Sequence, residues 1–268
     1  MPSTVVRNCH LDYRLTGDGP DVVWGHGLTS SMDEEDQLAL VDWSTAGAGH
    51  RVLRYDARGH GGSDSTTEPT DYSWESLAHD QLALADAVGI DRYVAAGASM
   101  GAATALHAAL IAPDRVRALV LVIPPTGWET RAAQTGLYAA MADLVEAERH
   151  AELLAASADV PPPDPVADEP LWTERFERKL AETDPVRLAR VFRGAGTADL
   201  PLADAIATID VPVLILAWTG DATHPLTTAA RLQELMPQSE LVVATTRAGL
   251  DTWSSRTATF LSSLTSKA

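Results

Sequence analysis

Gly97-Ala98-Ser99-Met100-Gly101 follows the apolar run Tyr93-Val94-Ala95-Ala96 and precedes the small-residue run Ala102-Ala103-Thr104-Ala105-Leu106-His107-Ala108-Ala109. The first run reads as a buried strand and the second as a helix, so the five residues between them form a strand-to-helix turn. Glycines two positions either side of Ser99 let such a turn close without side-chain collision, and the serine at its apex is forced into a strained conformation with its hydroxyl exposed. The helix aims its free N-terminal amides at the same point, where negative charge would develop on an attacked carbonyl. The strand before and the helix after favour a nucleophilic Ser99 over a turn that merely packs tightly.

Outward from this turn, strands and helices alternate. Val5 to Asn8 and Leu11 to Leu15 read as an opening hairpin, and Val22-Val23-Trp24 as a buried strand running into Gly25-His26-Gly27-Leu28. Val52 to Tyr55 is the next strand, followed by the glycine-rich loop Asp56 to Asp64. Ser73 is placed to cap a helix from Trp74 to Val88. After the serine turn come a strand over Ala118 to Ile123, another over Val213 to Ala217, a helix over Leu226 to Leu235, a strand over Glu240 to Val243 and a closing helix over Trp253 to Leu264. Alternation of this kind requires right-handed crossovers and predicts an α/β fold with a mostly parallel, doubly wound sheet.

Between Pro124 and Asp210 the pattern breaks. Thr130 to Ala156 reads as one or two helices, Asp159 to Pro165 as a stiff proline-rich connection, and Trp172 to Leu180 and Pro185 to Phe192 as further short helices. Residues 1–123 and 210–268 are therefore expected to form the core, and 124–209 a helical lid over the carboxyl edge of the sheet, where open α/β folds bind ligands. Trp128, Tyr138, Met141 and Trp172 are candidates to line an apolar substrate pocket beneath it, although each taken singly is also explained by packing of lid on core.

Composition bounds the partners. The 268 residues carry 20 Lys and Arg against 37 Asp and Glu, a net charge of −17, which disfavours nucleic acid and anionic membrane surfaces. The strongest apolar run, Ala118 to Ile123, is of strand length, and the opening residues lack the layout of a signal peptide, so a cytoplasmic protein with a small-molecule substrate is expected. The single Cys9 reads as a small strand residue. Neither a phosphate-binding glycine loop nor a Cys/His metal pattern is evident, and no cofactor is expected.

Four motifs in order, Gly25-His26-Gly27-Leu28, Tyr55 to Asp64, Gly97 to Gly101 and Gly220-Asp221-Ala222-Thr223-His224-Pro225, give the chain a resemblance to the α/β-hydrolase superfamily, in its lid-bearing lactonase- and esterase-like branch. That resemblance implies an eight-stranded sheet, Ser99 as nucleophile, the backbone amides of Leu28 and Met100 as oxyanion donors, and Asp221 as the catalytic acid. It implies loop-shaping roles for His26 and His60. It also implies a histidine base after the last strand, where this chain has Leu250.

None of the eight histidines lies beyond His224, and a serine hydroxyl is a weak nucleophile unless a neighbour takes its proton. Three readings stay open. His224 replaces the base, oriented by Asp221 or by Glu129, and the chain is a serine hydrolase of an ester, thioester or lactone of a small to medium, largely apolar molecule. Alternatively the site carries out a non-hydrolytic step such as isomerisation or cyclisation of a carbonyl compound, or the chain is an inactive ligand-binding relative.

Overall fold

The computed structural model describes residues 1–265, without the side chains of Thr173 and Thr265. Eight strands form one sheet: β1 (Ser3–Val6), β2 (Cys9–Thr16), β3 (Asp21–Gly25), β4 (Arg51–Tyr55), β5 (Tyr93–Ala98), β6 (Val116–Val122), β7 (Val213–Trp218) and β8 (Ser239–Ala244). Their spatial order is β1-β2-β4-β3-β5-β6-β7-β8. β2 is antiparallel to both of its neighbours, and every pair from β4 onward is parallel. This is the doubly wound sheet expected from the alternation.

Among the described residues twelve α-helices accompany it. Those that cover the sheet or continue its connections are α1 (Met32–Gln37), α2 (Trp43–Ala46), α3 (Trp74–Ala87) and α4 (Met100–Ile111) in the first half. Between β6 and β7 lie α5 (Arg131–Glu146), α6 (His150–Ala158), α7 (Pro170–Glu182), α8 (Pro185–Thr197) and α9 (Ala203–Ile206). The chain closes with α10 (Leu226–Leu235), α11 (Arg247–Leu250) and α12 (Trp253–Thr265).

Successive strand side chains point to opposite faces, and the core divides accordingly. Val23, Leu53, Ala95, Leu119, Leu121 and Ile215 meet α3, α4 and α10 on one face. Val22, Val52, Ala96, Val120, Leu214 and Leu216 meet Trp43 and Ala46 of α2 and Trp253 and Leu261 of α12 on the other. The hairpin differs from expectation by its turn. Arg7 and Asn8 both have positive φ, 47° and 59°, so Asn8 belongs to a two-residue turn and not to the first strand. Two positive φ values give a turn whose twist matches that of the flanking strands.

The helical segment between β6 and β7 has its own apolar cluster, in which α5 and α8 pack through Tyr138, Ala142, Val145, Leu188 and Phe192. Thr130 to Ala156 resolves into two helices, broken where Glu148 takes φ 56°. Buried Arg131 ties this segment to the core. Its guanidinium donates to the Ala198 carbonyl at 2.7 Å and to Thr126 Oγ1 at 3.2 Å, and lies 4.2 Å from the centre of a Trp74 ring. Arg187 of α8 adds a second tie, donating to the Gly61 and Ser63 carbonyls at 2.9 and 2.8 Å. Among the described residues no helix is long and apolar enough to cross a membrane.

Candidate active site

Ser99 stands between β5 and α4 with φ 51° and ψ −110°. A non-glycine residue held at positive φ stores on the order of 1–3 kcal/mol, so its surroundings must enforce the conformation. They do so by close backbone approach. A Cβ on Gly97 would collide with the Gly101 backbone, and one on Gly101 would collide with the Gly25 carbonyl. The Ser99 amide donates to the Val122 carbonyl at 2.9 Å, and the Ala103 amide donates to the Ser99 carbonyl at 3.1 Å. The turn is thus fixed from both sides, with the serine only partly covered.

His224 reaches this serine. Its Nε2 lies 2.7 Å from Ser99 Oγ, and its Nδ1 lies 2.7 Å from Asp221 Oδ2. An ionised carboxylate only accepts, so Nδ1 carries the proton and Nε2 is left to accept from the serine hydroxyl. Asp221 Oδ1 meanwhile accepts from the Thr223 and His224 amides at 2.8 and 3.2 Å. Trp218 Nε1 is a fourth donor, 2.9 Å from Oδ2. Burial alone would raise this carboxyl, but the attraction of His224 and the donated hydrogen bonds outweigh it and hold the group at about 2. Glu129, the other carboxylate considered for orienting His224, is exposed.

The loop carrying Asp221 and His224 is short, and it is held at both ends and in the middle. Gly220 has φ 79°, and a Cβ there would strike the Asp164 side chain. Asp164 also donates its amide to the Thr219 carbonyl at 3.1 Å and accepts from Thr219 Oγ1 at 2.6 Å. Further along, the Thr126 amide donates to the Thr223 carbonyl at 3.0 Å, and α10 starts directly after Pro225. The proline-rich connection after α6 and the segment after β6 therefore clamp the loop between them.

Met100 opens α4, so its amide is among those that an α-helix leaves without an intrahelical acceptor. Leu28 lies on the loop after β3, where a Cβ on the neighbouring Gly27 would come 3.6 Å from Ser99 Cβ. The Leu28 side chain packs against both the sheet core and the helical segment. His26 braces the loop, accepting at Nε2 from the Ala57 amide at 3.0 Å and donating from Nδ1 to the Gly27 carbonyl at 2.8 Å. His60 donates from Nδ1 to the Arg58 carbonyl at 2.9 Å and sits edge-on to His26, 5.0 Å between ring centres. Burial pushes both imidazoles down, to about 4 for His26 and about 3 for His60, so both are neutral near pH 7.

Leu250 is buried in the same cluster as Trp218 and Trp253, filling with packing the position where the resemblance implied a histidine. Of the four aromatic and thioether candidates, Trp172 meets Trp218 edge-on at 5.2 Å, next to Asp221. Tyr138 stacks on Phe192 at 6.3 Å, and Met141 packs in the same helical cluster. Trp128 is turned to the sheet core and donates its indole N–H to the Pro201 carbonyl at 2.9 Å. His107, two turns from Ser99, lies 3.0 Å from the Asp199 carbonyl. Trp218 was not singled out in the sequence. Its signal was a bulky residue with a polar edge closing an otherwise aliphatic strand, three residues before Asp221.

A family model for the alpha/beta hydrolase fold matches residues 22–247, and the chain belongs to that family. It is 30% identical over 241 residues to a non-heme chloroperoxidase from Streptomyces lividans, spanning 84% of this chain and 83% of that protein. It is 38% identical over 145 residues to the sn-1-specific diacylglycerol lipase ABHD11 of Mus musculus, a match covering 53% of this chain and 45% of the lipase. The chain thus spans less than half the length of that relative. The enol-lactonase from Burkholderia xenovorans LB400 superposes with a TM-score of 0.77 at 22% identity, over 98% of each chain, and shares the fold. Among the proteins it resembles are thus one named as a lipase and one named as an enol-lactonase.

Proposed function

We propose that the chain is a serine-dependent hydrolase of an ester, thioester or lactone of a small to medium, largely apolar molecule, working through an acyl-enzyme. The observation that supports this reading most strongly is the unbroken hydrogen-bonded line from Ser99 Oγ through both nitrogens of His224 to Asp221. As Ser99 Oγ attacks the carbonyl carbon, its proton passes to His224 Nε2, and the positive imidazole is held by the Asp221 carboxylate. The carbonyl oxygen, now anionic, is met by the amides of Leu28 and Met100. Collapse of the tetrahedral centre breaks the bond to the leaving group, which takes the proton from Nε2 and leaves Ser99 acylated. Water then enters, gives a proton to His224, attacks the acyl carbon and releases the acid, and His224 returns the proton to Ser99.

The helices between β6 and β7 act in this reading as a lid, anchored by Arg131 and Arg187, under which the substrate lies. The test is intact-mass detection of labelling by a fluorophosphonate. One adduct on the wild type, absent from Ser99→Ala and strongly slowed in His224→Ala, is the expected result. A folded wild-type protein that stays unlabelled overturns the reading.

A further inference from the structure

Helix α7 turns some of its charged side chains inward. Glu174 and Glu177 are exposed, whereas Trp172, Arg175 and Lys179, spaced three and four residues apart on one face, are partly buried. Lys179 pairs with Glu34 at 3.0 Å. Arg175 has its guanidinium carbon 3.6 Å from the centre of the Trp172 ring. Trp172 in turn stands edge-on to Trp218, the residue that donates to Asp221 and lies 6.4 Å from His224, ring centre to ring centre. Among the described residues, no carboxylate or carbonyl oxygen lies within hydrogen-bond or ion-pair distance of the Arg175 guanidinium. Burial works against its charge, and Glu34 and Asp221 are the carboxylates that counter this from a distance. Asp221 is already taken up by four donors, so it has no lone pair left to offer.

A guanidinium that has given up part of its hydration, lies over an indole ring and makes no ion pair is poorly compensated in the free protein. Its planar fork fits a carboxylate through two parallel hydrogen bonds. In a chain of net charge −17, an anionic substrate gains nothing from the overall field and needs a local cation. We infer that Arg175 is a specificity-determining residue that receives a carboxylate at the far end of the substrate, so that the enzyme prefers esters or lactones bearing one remote carboxylate. The inference rests on the serine-hydrolase reading for the reacting end. It adds a single anionic terminus to a substrate that is otherwise apolar. Trp172 lies against the guanidinium, and Glu34, paired with Lys179, acts on Arg175 only from a distance.

The test uses 4-nitrophenyl monoesters of the straight-chain diacids from succinate to suberate, each compared with its methyl-capped counterpart, on wild type, Arg175→Met and Arg175→Lys. The expected result is a chain length at which the free carboxylate raises kcat/KM at least tenfold over the capped ester. Arg175→Met should remove that preference, losing kcat/KM on the free carboxylate at least tenfold more than on the capped ester, and Arg175→Lys should restore part of it. Equal losses on both members of a pair, or no preference at any length, overturn the inference while leaving the serine reading intact. Calorimetric titration of monomethyl suberate and the shorter half-esters into Ser99→Ala gives a readout independent of turnover. Binding abolished by adding Arg175→Met supports the inference even if no ester is hydrolysed, and no binding of any half-ester counts against it.

Discussion

Trp218 donates its indole N–H to Asp221 Oδ2, the same oxygen that receives Nδ1–H of His224. The strand end thereby fixes the carboxylate on the side away from the backbone amides, and Asp221 is oriented without any ligand. Trp218→Phe keeps most of the ring volume and deletes the donor. Loss of one hydrogen bond to a buried carboxylate is expected to cost about 1–3 kcal/mol in urea unfolding. It should also lower kcat on a 4-nitrophenyl ester by about tenfold, the equivalent of roughly 1.4 kcal/mol of barrier.

The depressed Asp221 carboxyl predicts a pH dependence with a definite sign. Its folded value of about 2 lies below the ordinary 3.8, so the group's contribution to stability is complete above 3.8 and is lost as pH falls through 2. A shift of this size corresponds to about 2 kcal/mol. Asp221→Asn should therefore be less stable than wild type near pH 6, and the gap should close progressively between about pH 4 and pH 2. Thermal or urea unfolding across that range measures it, and a gap that persists at pH 2 would contradict the account.

Leu250→His puts an imidazole where relatives of this fold are expected to carry the base, yet it should not help. Leu250 is only 7% exposed and packs with Trp218 and Trp253. A polar ring buried there without a partner is expected to destabilise the protein by about 2–3 kcal/mol. Combined with His224→Ala, it should fail to restore phosphonate labelling. Recovery of labelling in that double variant would show that the base can still be supplied from the loop after β8.

Cys9 is buried in β2, and burial pushes its thiol up to about 11 despite the opposing pull of Arg58. At pH 8 the thiol is protonated and covered. Ellman's reagent should react with the native protein far more slowly than with the urea-unfolded chain, in which one equivalent is modified at once. Fast native labelling would contradict the placement of this strand.

The turn at Ser99 and the alternating core were legible because each is a local signal. The glycines around Ser99 and the apolar runs of β3 to β8 announce their conformation over five or six residues. The pairing of His224 with Ser99 was legible only as one of several options, since the reach of the loop depends on Asp164 and Thr126, far away in sequence. Helices α1 and α2, four to six residues long, left no periodic trace, although Ser31 and Asp42 cap them. α8 runs to Thr197, five residues beyond Phe192, because its last turns are covered by packing against α5. Arg175 was invisible for a different reason. Nothing in a helix rich in both charges tells which cation turns inward.

Asp221 and His224 are separated by three peptide units, so their mutual geometry is set by covalent chain and two short amide contacts within one turn. Where an acid and an imidazole hang from different strands, every slide between those strands alters their spacing. Here β7 and β8 can shear without stretching that pair at all. In the proposed mechanism only one distance, from the imidazole to Ser99, then has to be kept by the fold as a whole, and the C-terminal strand and helix are released from guarding chemistry and answer to packing alone.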